Sequence, residues 1–467
     1  MDENELLEPS TFRDRISNIT EDGSRKWIYA LKPKGNWYKY RIIFAVLYLI
    51  AFFAMPFIKV NDMPFILLNV VEGKCILFSK IFWPQDFFIF AVGMITFIIF
   101  IVLFTVIYGR LFCGWVCPQT VFLELVFRPI EWLIEGTPNQ QKKRNEGPWN
   151  TDKIVRKTIK HVIYFLISFL IAHTFLAYIL GIDEVYRLIR EPLSGHLSLF
   201  AGLIAFTLLF YGVFAFVREI VCTTICPYGR LQGVMFDKNT MQISYDYKRG
   251  EPRGKFKKNV ERTDGDCVNC FKCVQVCPTG IDIRNGVQLD CVGCTACIDA
   301  CDEVMDSLHM DRGLIRYASE NQIITGLPFQ FTNRVKAYTA LLIGLMLGMG
   351  ILIWNRRSVD TFISRVKGQT YQETEAGKIS NLFEAKVLNK TIKDKKIRFA
   401  LEDHQGNFRF IGTDTLIAKK EMINDFTFFL DLPKEEISER SSNLKISVFA
   451  DEEKVQTIKT KFLGPFK

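Results

Sequence analysis

Cysteines are the residues of this sequence whose number and spacing could do chemistry, since twelve of the thirteen lie in C-x2-C or C-x3-C patterns. The run C-x2-C-x2-C-x3-C is formed by Cys267, Cys270, Cys273 and Cys277, followed by Pro278, and recurs 24 residues later in Cys291, Cys294, Cys297 and Cys301. In such tandem runs three thiolates hold one [4Fe–4S] cluster and the fourth ligates the other. The spacing therefore predicts one cluster on Cys267, Cys270, Cys273 and Cys301 and a second on Cys291, Cys294, Cys297 and Cys277.

Zinc and disulfides are the competing uses of such cysteine runs. Zinc sites usually combine two ligand pairs across a longer spacer, and disulfides are rare in the reducing cytosol, where the charge pattern places this segment. We therefore predict a two-cluster ferredoxin insert over residues 250–315. Asp302 is a departure from the bacterial ferredoxin pattern, because it follows Cys301 where proline is usual. It removes no ligand.

Two further cysteine pairs stand in C-x3-C-P motifs directly after apolar stretches. Cys113 and Cys117 form the first pair, and Cys222 and Cys226 form the second, 109 residues later. An i, i+4 spacing puts two thiols on one helix face, whereas the following proline disfavours helix at the second cysteine. The repeat of span, return span and motif predicts two similar hairpins, each with a backbone break at its motif.

Four thiolates gathered from two hairpins would make a soft site of the kind that selects Cu(I), zinc or iron–sulfur. Basic and aromatic neighbours that favour thiolate over thiol are Arg110, Trp115, Arg218 and Arg230. Cys113, Cys117, Cys222 and Cys226 are thus the candidate catalytic residues and the candidate copper ligands. Inert buried thiols, a catalytic disulfide couple and a third cluster stay open. The lone Cys75 is interpreted as an ordinary thiol.

Five uncharged apolar stretches approach or exceed the length of about 20 residues that crosses a membrane. They are residues 42–58, 87–108, 162–182, 197–217 and 337–354, named here the first to fifth spans. The 467-residue chain is 49% hydrophobic, which excludes a disordered protein. We therefore predict a mainly α-helical membrane protein, with the two hairpins inside residues 42–249.

Basic residues set the predicted orientation. They cluster before the first span and between the second and third spans, which places residues 1–41 and the ferredoxin insert in the cytoplasm and the C-terminus outside. The net charge of +9 follows from this topology and gives no case for nucleic acid. Neither a P-loop nor a dinucleotide-binding motif occurs in the sequence.

From about residue 380 the pattern changes to short alternating apolar and polar runs separated by polar turns. This period of two predicts strands, and residues 380–467 would form a small β-sandwich. The segment contains no cysteine, so it offers neither a disulfide nor a thiol metal site. Docking to an assembly partner and a passive stabilising role both stay open.

The duplicated CxxxCP hairpins, the ferredoxin insert, the last span and the C-terminal β-domain together resemble the CcoG/FixG/RdxA family of cytochrome oxidase accessory proteins, from about residue 26 onward. The resemblance implies an immunoglobulin-like C-terminal domain in the periplasm of a bacterium and a membrane domain in its inner membrane. It also implies two [4Fe–4S] clusters on the eight insert cysteines and copper at the four CxxxCP cysteines. NapH- and NosR-type proteins share the hairpins and the insert but lack the outward β-domain.

The predicted fold class is a mainly α-helical polytopic membrane protein with about five transmembrane helices, a two-[4Fe–4S] insert and an Ig-like β-sandwich. The leading hypothesis is an oxidoreductase that takes electrons from a cytosolic donor and reduces Cu(II) to Cu(I) for assembly of a cbb-type cytochrome c oxidase, whose assembly factors or subunits are the partners. A quinol-linked electron conduit and a non-catalytic copper-binding scaffold are the alternatives. The sequence leaves open the donor, the copper source, the acceptor and whether the protein is a homodimer.

Overall fold

The computed structural model describes residues 25–465 except 61–62, 70–72, 79, 257–262, 367, 375–376, 413–414 and 438. Residues 1–24 of the predicted N-terminal segment therefore lie outside the described residues. The chain divides into two compact units. The first comprises Met1–Asn69 and Ala91–Leu347, and the second comprises Val70–Phe90 and Gly348–Lys467.

Six helices in the described residues are long and apolar enough to cross a membrane. They are Asn36–Phe57, Phe87–Tyr108, Leu111–Glu135, Thr151–Leu180, Leu197–Val217 and Asn333–Trp354. Five overlap the predicted spans, of which the second and fourth have the predicted bounds and the first and third end one and two residues early. The third begins eleven residues before its predicted start because the charged turns from Thr151 onward continue the helix. The helix Leu111–Glu135 was not among the predicted spans, because three glutamates and an arginine interrupt its apolar residues.

This additional helix, named here the inner helix (Leu111–Glu135), is built from four consecutive pieces. They are Leu111–Trp115, Pro118–Phe122, a π-helical turn Leu123–Phe127 and Arg128–Glu135. The fourth span itself ends in a π-helical turn, Val213–Val217, and is followed by a second one, Val221–Ile225, and by the helix Pro227–Met235. The two predicted hairpin halves thus share a segmented helix after the span, and π-helical turns of this kind frequently mark functional sites.

The remaining helices and strands of the first unit connect the spans. Outside the insert they are the helices Pro138–Glu146 and Ile182–Arg190 and the short strands Lys59–Val60, Met63–Pro64 and Ile66–Asn69. The ferredoxin insert begins with the strand Gln242–Tyr245, which pairs antiparallel with Ile315–Ala318 and so closes the insert on itself. Its helices are Tyr247–Gly250, Lys272–Gln275, Ile283–Asn285, Ala296–Ser307 and Glu320–Thr325. The predicted range of 250–315 was too short at both ends, because the closing strand pair lies outside the cysteine runs.

Residues 25–35, named here the N-terminal strap, run across the insert before the first span. The amide of Leu31 donates to the carbonyl of Gln275 at 2.8 Å. At the end of the strap the Asp299 carboxylate accepts from the amides of Trp37 and Tyr38 at 3.1 and 2.7 Å, and so caps the first helix. Gly35 is required there, because a Cβ would lie 2.2 Å from the carboxyl carbon of Asp299.

In the second unit two antiparallel sheets share one hydrophobic core. In the first sheet the strand order is Asn407–Phe410, Ile423–Pro433, Lys378–Asn389 and Val359–Arg365, and Gln372–Glu373 also pairs with Lys378–Asn389. In the second sheet the order is Ile417–Ala418, Lys395–Leu401, Ser441–Ala450 and Glu453–Leu463. Phe383 and Phe428, which are fully buried, stack with ring centroids 5.7 Å apart. The predicted start at residue 380 was wrong, since the first strand begins at Val359 and its polar neighbours conceal the alternation.

The second unit also contains a buried ion cluster around Asp86, the residue before the second span. Asp86 accepts a hydrogen bond from Arg356 at 2.8 Å and another from Lys390, which also pairs with Asp360 at 2.5 Å. The side chains of Asp86 and Lys390 are almost fully buried. Charges buried this completely are stable only when paired, so this cluster fixes the chain segments that meet there. The same unit contains the hairpin of Lys74–Leu77 and Lys80–Phe82, which carries Cys75.

Candidate metal centres

The two cysteine runs of the insert form loops with the same backbone shape. In the first loop Asn269 and Phe271, on either side of Cys270, have φ angles of 55° and 57°. In the second loop Gly293 and Thr295, at the equivalent positions, have φ angles of 69° and 62°. Non-glycine residues rarely adopt this left-handed conformation. Its repetition at matched positions shows that the spacing of both runs imposes one loop geometry, which wraps the cysteines around a common centre.

Each predicted set of four cysteines lines its own cavity in the insert. Cys267, Cys270, Cys273 and Cys301 line one, together with Tyr245 and Arg284. Cys277, Cys291, Cys294 and Cys297 line the other, with Cys273 at its edge. In both cavities the fourth cysteine comes from the opposite run, which is the crossed arrangement of two-cluster ferredoxins.

Burial makes these thiols poor acids in the protein alone. It raises the pKa of Cys273 and of Cys291 to about 12 and that of Cys294 to about 11. Arg110 and Arg41 partly oppose the rise at Cys291 and Cys294, respectively. Thiols in this state lose their protons on binding a metal, so ligation and proton release are coupled.

Unpaired buried donors show that the second cavity suits an anionic group. Arg41 Nη2 and Arg110 Nε are buried without a hydrogen-bond partner among the described residues. A cubane cluster on four thiolates carries net negative charge, and buried cations near it supply the compensation that burial otherwise removes. At Cys277 the amides of Thr279 and Gly280 also donate to the sulfur. The residues present therefore fit [4Fe–4S] clusters.

Asp302 has a structural role that explains its departure from the ferredoxin pattern. After Cys277 the following proline ends the first short helix, whereas Ala296–Ser307 continues past Cys301 for six residues. A proline at 302 would disfavour helix at Cys301. The Asp302 carboxylate instead accepts from the amide of Gly313 at 3.0 Å and fixes the chain that returns to the closing strand.

The predicted backbone break at each CxxxCP motif is confirmed. Cys117 and Cys226 have ψ angles of 124° and 111°, so neither is helical. Each precedes a new helix whose first residue is the motif's proline, a position where the missing N–H has no cost. The first cysteines differ, since Cys113 lies in an α-helical turn and Cys222 in a π-helical turn.

The four motif thiols lie in one region beside the insert. Cys113 and Cys222 both pack against the hydrophobic core of the insert. Cys113 Sγ donates to Gln232 Oε1 at 3.1 Å, and Cys222 Sγ lies 3.9 Å from Thr120 Oγ1. Burial, reinforced by Cys117 and Cys226, raises the pKa of Cys222 to about 12. Within the described part of the chain no three Cys, His, Asp or Glu side chains converge on a single-ion site.

At Gly114 the first motif touches the second cluster loop main chain to main chain. A Cβ on Gly114 would lie 2.7 Å from the carbonyl oxygens of Val292 and Gly293, and one on Gly293 would lie 2.8 Å from the Arg110 carbonyl oxygen. Arg41 Nε donates to the Gly114 carbonyl at 2.9 Å. Sequence reasoning counted Arg41 as a topology charge and did not single out Gly114. The G in the C-G-x-x-C motif was the available signal.

Arg110 joins the first motif to the second motif and to the insert. It is buried, and its two terminal nitrogens donate to the carbonyls of Gly229 and Leu289. Gly229 belongs to the helix after the second motif, and Leu289 precedes the second cysteine run. Five donors in a rigid fork suit arginine to such a junction. This side chain therefore holds both motifs against the second cluster loop.

A buried ion network lies at the start of the second motif. Arg218 donates to both carboxylate oxygens of Glu131, at 2.5 and 2.9 Å. Lys160 from the third span lies 3.6 Å from Glu131 and 3.0 Å from Glu135. Arg218 and Gly109, which are equivalent in the repeat, both have a φ of 55°. A positive φ strains arginine and not glycine, so the ion pair holds Arg218 in a backbone conformation that non-glycine residues rarely adopt.

Comparison with family models agrees with this division. Residues 217–320 match a 4Fe–4S dicluster domain, residues 90–135 match a 4Fe–4S binding domain, and residues 349–465 match the Ig-like fold at the C-terminal of FixG. With the apolar helices and the twin cysteine loops, these matches define an iron–sulfur electron-transfer protein of a membrane. The predicted fold class is thereby confirmed.

Curated relatives narrow the class to one family. Protein RdxA of Cereibacter sphaeroides is 32% identical over 354 residues, which cover 73% of this chain and 74% of RdxA. RdxB of the same organism is 33% identical over 338 residues, or 70% of each chain. The nitrogen fixation protein FixG of Rhizobium meliloti is 34% identical over 309 residues, 63% of this chain and 57% of FixG. The chain belongs to the FixG/RdxA family.

Proposed function

We propose that this protein reduces Cu(II) to Cu(I) at Cys113, Cys117, Cys222 and Cys226 with electrons from the ferredoxin insert, and that the Cu(I) serves assembly of the copper centre of a cbb-type cytochrome c oxidase. The observation that carries the proposal is the main-chain contact of Gly114 with the second cluster loop. It brings the first CxxxCP motif directly against the second cluster loop of the electron-carrying insert, on whose core Cys113 also packs.

Copper enters this reaction as substrate. Each electron from the insert converts one Cu(II) to Cu(I), and soft thiolates favour the Cu(I) product. Because the four thiols do not converge in the described structure, copper binding requires their side chains to rotate toward one another. The two backbone breaks, at Cys117 and Cys226, take the second member of each pair out of the helix.

The cluster assignment made from the spacing is part of the proposal. One cluster belongs on Cys267, Cys270, Cys273 and Cys301, and the other on Cys277, Cys291, Cys294 and Cys297. The two separate cavities lined by these sets support it. When bound, the clusters supply one-electron carriers. The chain holds them beside buried arginines, which offset the charge gained on reduction.

For orientation we propose five crossings and an inner helix that does not cross. The inner helix begins at the end of the second span, and its last turn binds Lys157 and Lys160 near the start of the third. Because consecutive spans cross the membrane in opposite directions, the end of the second span and the start of the third lie on the same side of the membrane. The insert then lies in the cytoplasm of a bacterial cell and the Ig-like domain in the periplasm, where it would dock oxidase assembly factors or subunits.

A third cluster at the CxxxCP cysteines is the second candidate. The 4Fe–4S binding domain match over residues 90–135 favours it, since that range contains Cys113 and Cys117. A quinol-linked conduit and a copper scaffold are the further alternatives from the sequence. Iron and copper analysis of the purified chain shows whether the CxxxCP cysteines hold a third cluster or copper. Repeated copper reduction distinguishes a reductase from a scaffold, which would bind copper without turnover.

The experiment is anaerobic reoxidation of the dithionite-reduced full chain by Cu(II). Cluster absorbance and electron paramagnetic resonance report the insert, and a Cu(I)-specific chelator reports product. A variant with Ala at positions 113, 117, 222 and 226 should keep its clusters and lose copper reduction, whereas Cys75→Ala should behave as the wild type. Equal Cu(I) yield from the four-site variant would refute the proposal, and oxidation of added quinol by the clusters would favour the conduit.

A further inference from the structure

A cavity of about 470 Å³ opens where the N-terminal strap, the end of the inner helix and the ferredoxin insert meet. Its size falls in the range of about 300–1,000 Å³ that is typical of small-molecule sites. Leu31, Lys32 and Lys34 come from the strap, Trp132 from the inner helix, and Lys272 and Glu303 from the insert. All three elements belong to the first unit, so the cavity is a feature of one compact body.

The charge of the lining is positive. Lys272 pairs with Glu303 at 3.2 Å, whereas Lys32 and Lys34 are exposed and make no ion pair within the described part of the chain. Three lysines against one glutamate leave a net charge of +2 on the lining. Two lysines that line one cavity and make no ion pair in the described part of the chain offer a site for a phosphate or another dianion.

The wall of the cavity on the insert side lies directly behind the cluster cysteines. Lys272, Val276 and Ala300 line the cavity, and each immediately precedes a cysteine, at 273, 277 and 301. These cysteines belong to both predicted cluster sets. The helices Lys272–Gln275 and Ala296–Ser307 therefore border the cavity and also carry cysteines of both predicted cluster sets. A redox-active occupant of this cavity would be one helix away from either electron acceptor.

The opposite wall is aromatic and fixed. The Trp132 indole N–H donates to the carbonyl of Ala30 at 3.3 Å, which holds the ring against the strap. Leu31 and Pro33 add apolar surface beside it. A planar ring system can stack on such a wall. A concave, half-apolar cavity with a basic end selects a small amphipathic anion and does not resemble the flatter surface used to dock a protein.

We infer that this cavity binds flavin mononucleotide, with the isoalloxazine ring beside Trp132 and the phosphate on Lys32 and Lys34. The reduced form would be the cytosolic electron donor that the proposed function requires, and only this donor role rests on that function. Oxidation of a dihydroflavin releases two electrons and two protons. The insert accepts the electrons, one for each proposed cluster, and the protons pass to water at the open mouth of the cavity.

The test is a binding titration that needs neither copper nor turnover. The full chain is placed in nanodiscs of phosphatidylcholine, and quenching of flavin fluorescence is followed as flavin mononucleotide is added. We expect saturable binding of one flavin per chain. Lys32→Glu with Lys34→Glu should weaken it by about tenfold or more, because two attractive contacts become repulsive. The matched control Lys238→Glu changes an exposed lysine of the same unit outside the cavity and should leave binding unchanged.

Two further measurements distinguish binding of the flavin phosphate from binding of a lipid phosphate. Riboflavin, which lacks the phosphate, should bind about tenfold more weakly than the mononucleotide to the wild type and equally to the double variant. Nanodiscs containing phosphatidylglycerol should compete weakly or not at all. Retention of phosphatidylglycerol by the two lysines without flavin binding would identify a lipid-headgroup site and overturn the inference, as would riboflavin binding as tight as that of the mononucleotide. Failure of copper reduction alone would leave the binding result intact.

Discussion

Replacing Glu131 by glutamine tests whether the buried ion network holds the second CxxxCP motif in place. Both carboxylate oxygens accept from Arg218, which is 1% exposed and four residues before Cys222. The substitution preserves the size of the side chain and removes its charge. Among carboxylates the guanidinium then keeps Glu219, whose oxygen lies 3.5 Å from Nε, and it also keeps its cation–π contact with Trp27. The strained backbone at Arg218 loses the bidentate contact that holds it.

The magnitude follows from burial and distance. Opposite unit charges about 4 Å apart attract by about 4 kcal/mol at an effective dielectric constant of about 20. Removal of one partner from a buried pair costs about 3–5 kcal/mol, because the other charge stays buried without compensation. Glu219 supplies part of that compensation, so the lower end applies. We expect Glu131→Gln to lower the free energy of unfolding by about 3 kcal/mol.

The assay is unfolding of the purified chain in mixed micelles by increasing dodecyl sulfate, followed by tryptophan fluorescence. The matched control is Lys142→Gln, which breaks an exposed helical ion pair with Glu146, 3.9 Å long, and should cost at most about 1 kcal/mol. A double variant with Arg218→Met should recover part of the loss, since no buried charge is then left without its partner. Equal stability of Glu131→Gln and Lys142→Gln would refute the reasoning.

Three further outcomes follow from the other buried contacts. Burial alone would raise the pKa of Asp86, but its ion pairs lower it below the ordinary 3.8. The stabilisation from ionised Asp86 is therefore complete above about pH 4 and is lost as the pH falls through the pKa of Asp86 in the folded protein. We expect Asp86→Asn to lower the free energy of unfolding by about 3 kcal/mol at pH 7. The variant should also lose less stability in acid than the wild type, as measured by fluorescence during a pH titration. Gly114→Ala should cost about 1–3 kcal/mol and lower the iron content, whereas Gly344→Ala, which has open space around it, should do neither. Cys297→Ser should reduce iron from about eight to about four atoms per chain, and Cys113→Ser should leave it unchanged, as measured by iron and acid-labile sulfide analysis.

The features that the sequence predicts well are those governed by local rules. The cysteine spacing places each predicted set of four around its own cavity because the loop shape is determined within seven residues. The proline after Cys117 and after Cys226 forces the break that the structure shows. The second and fourth spans end where predicted, since each is followed by a residue with a positive φ, Gly109 and Arg218, respectively.

The inner helix escaped prediction because its charges are neutralised by residues far away in the chain. Glu131 pairs with Arg218, which lies 87 residues later in the chain. A hydropathy analysis of the local sequence includes the glutamate but not its partner. Arg41 was counted toward topology for the same reason, although it is 2% exposed and bonded to Gly114. Polar groups buried by tertiary contacts cannot be distinguished from surface charges until the partner is known.

The main-chain contact between Gly114 and the second cluster loop has a consequence for how this protein can be dissected. Alanine scanning works by deleting side chains, and residues 114 and 293 have none to delete. Truncation of Arg110 or Cys113 would test the neighbouring side-chain contacts and would leave this main-chain contact intact. Only mutations that add atoms can reveal it, so a methyl group inserted at residue 114 or 293 is more informative there than any number of side chains removed.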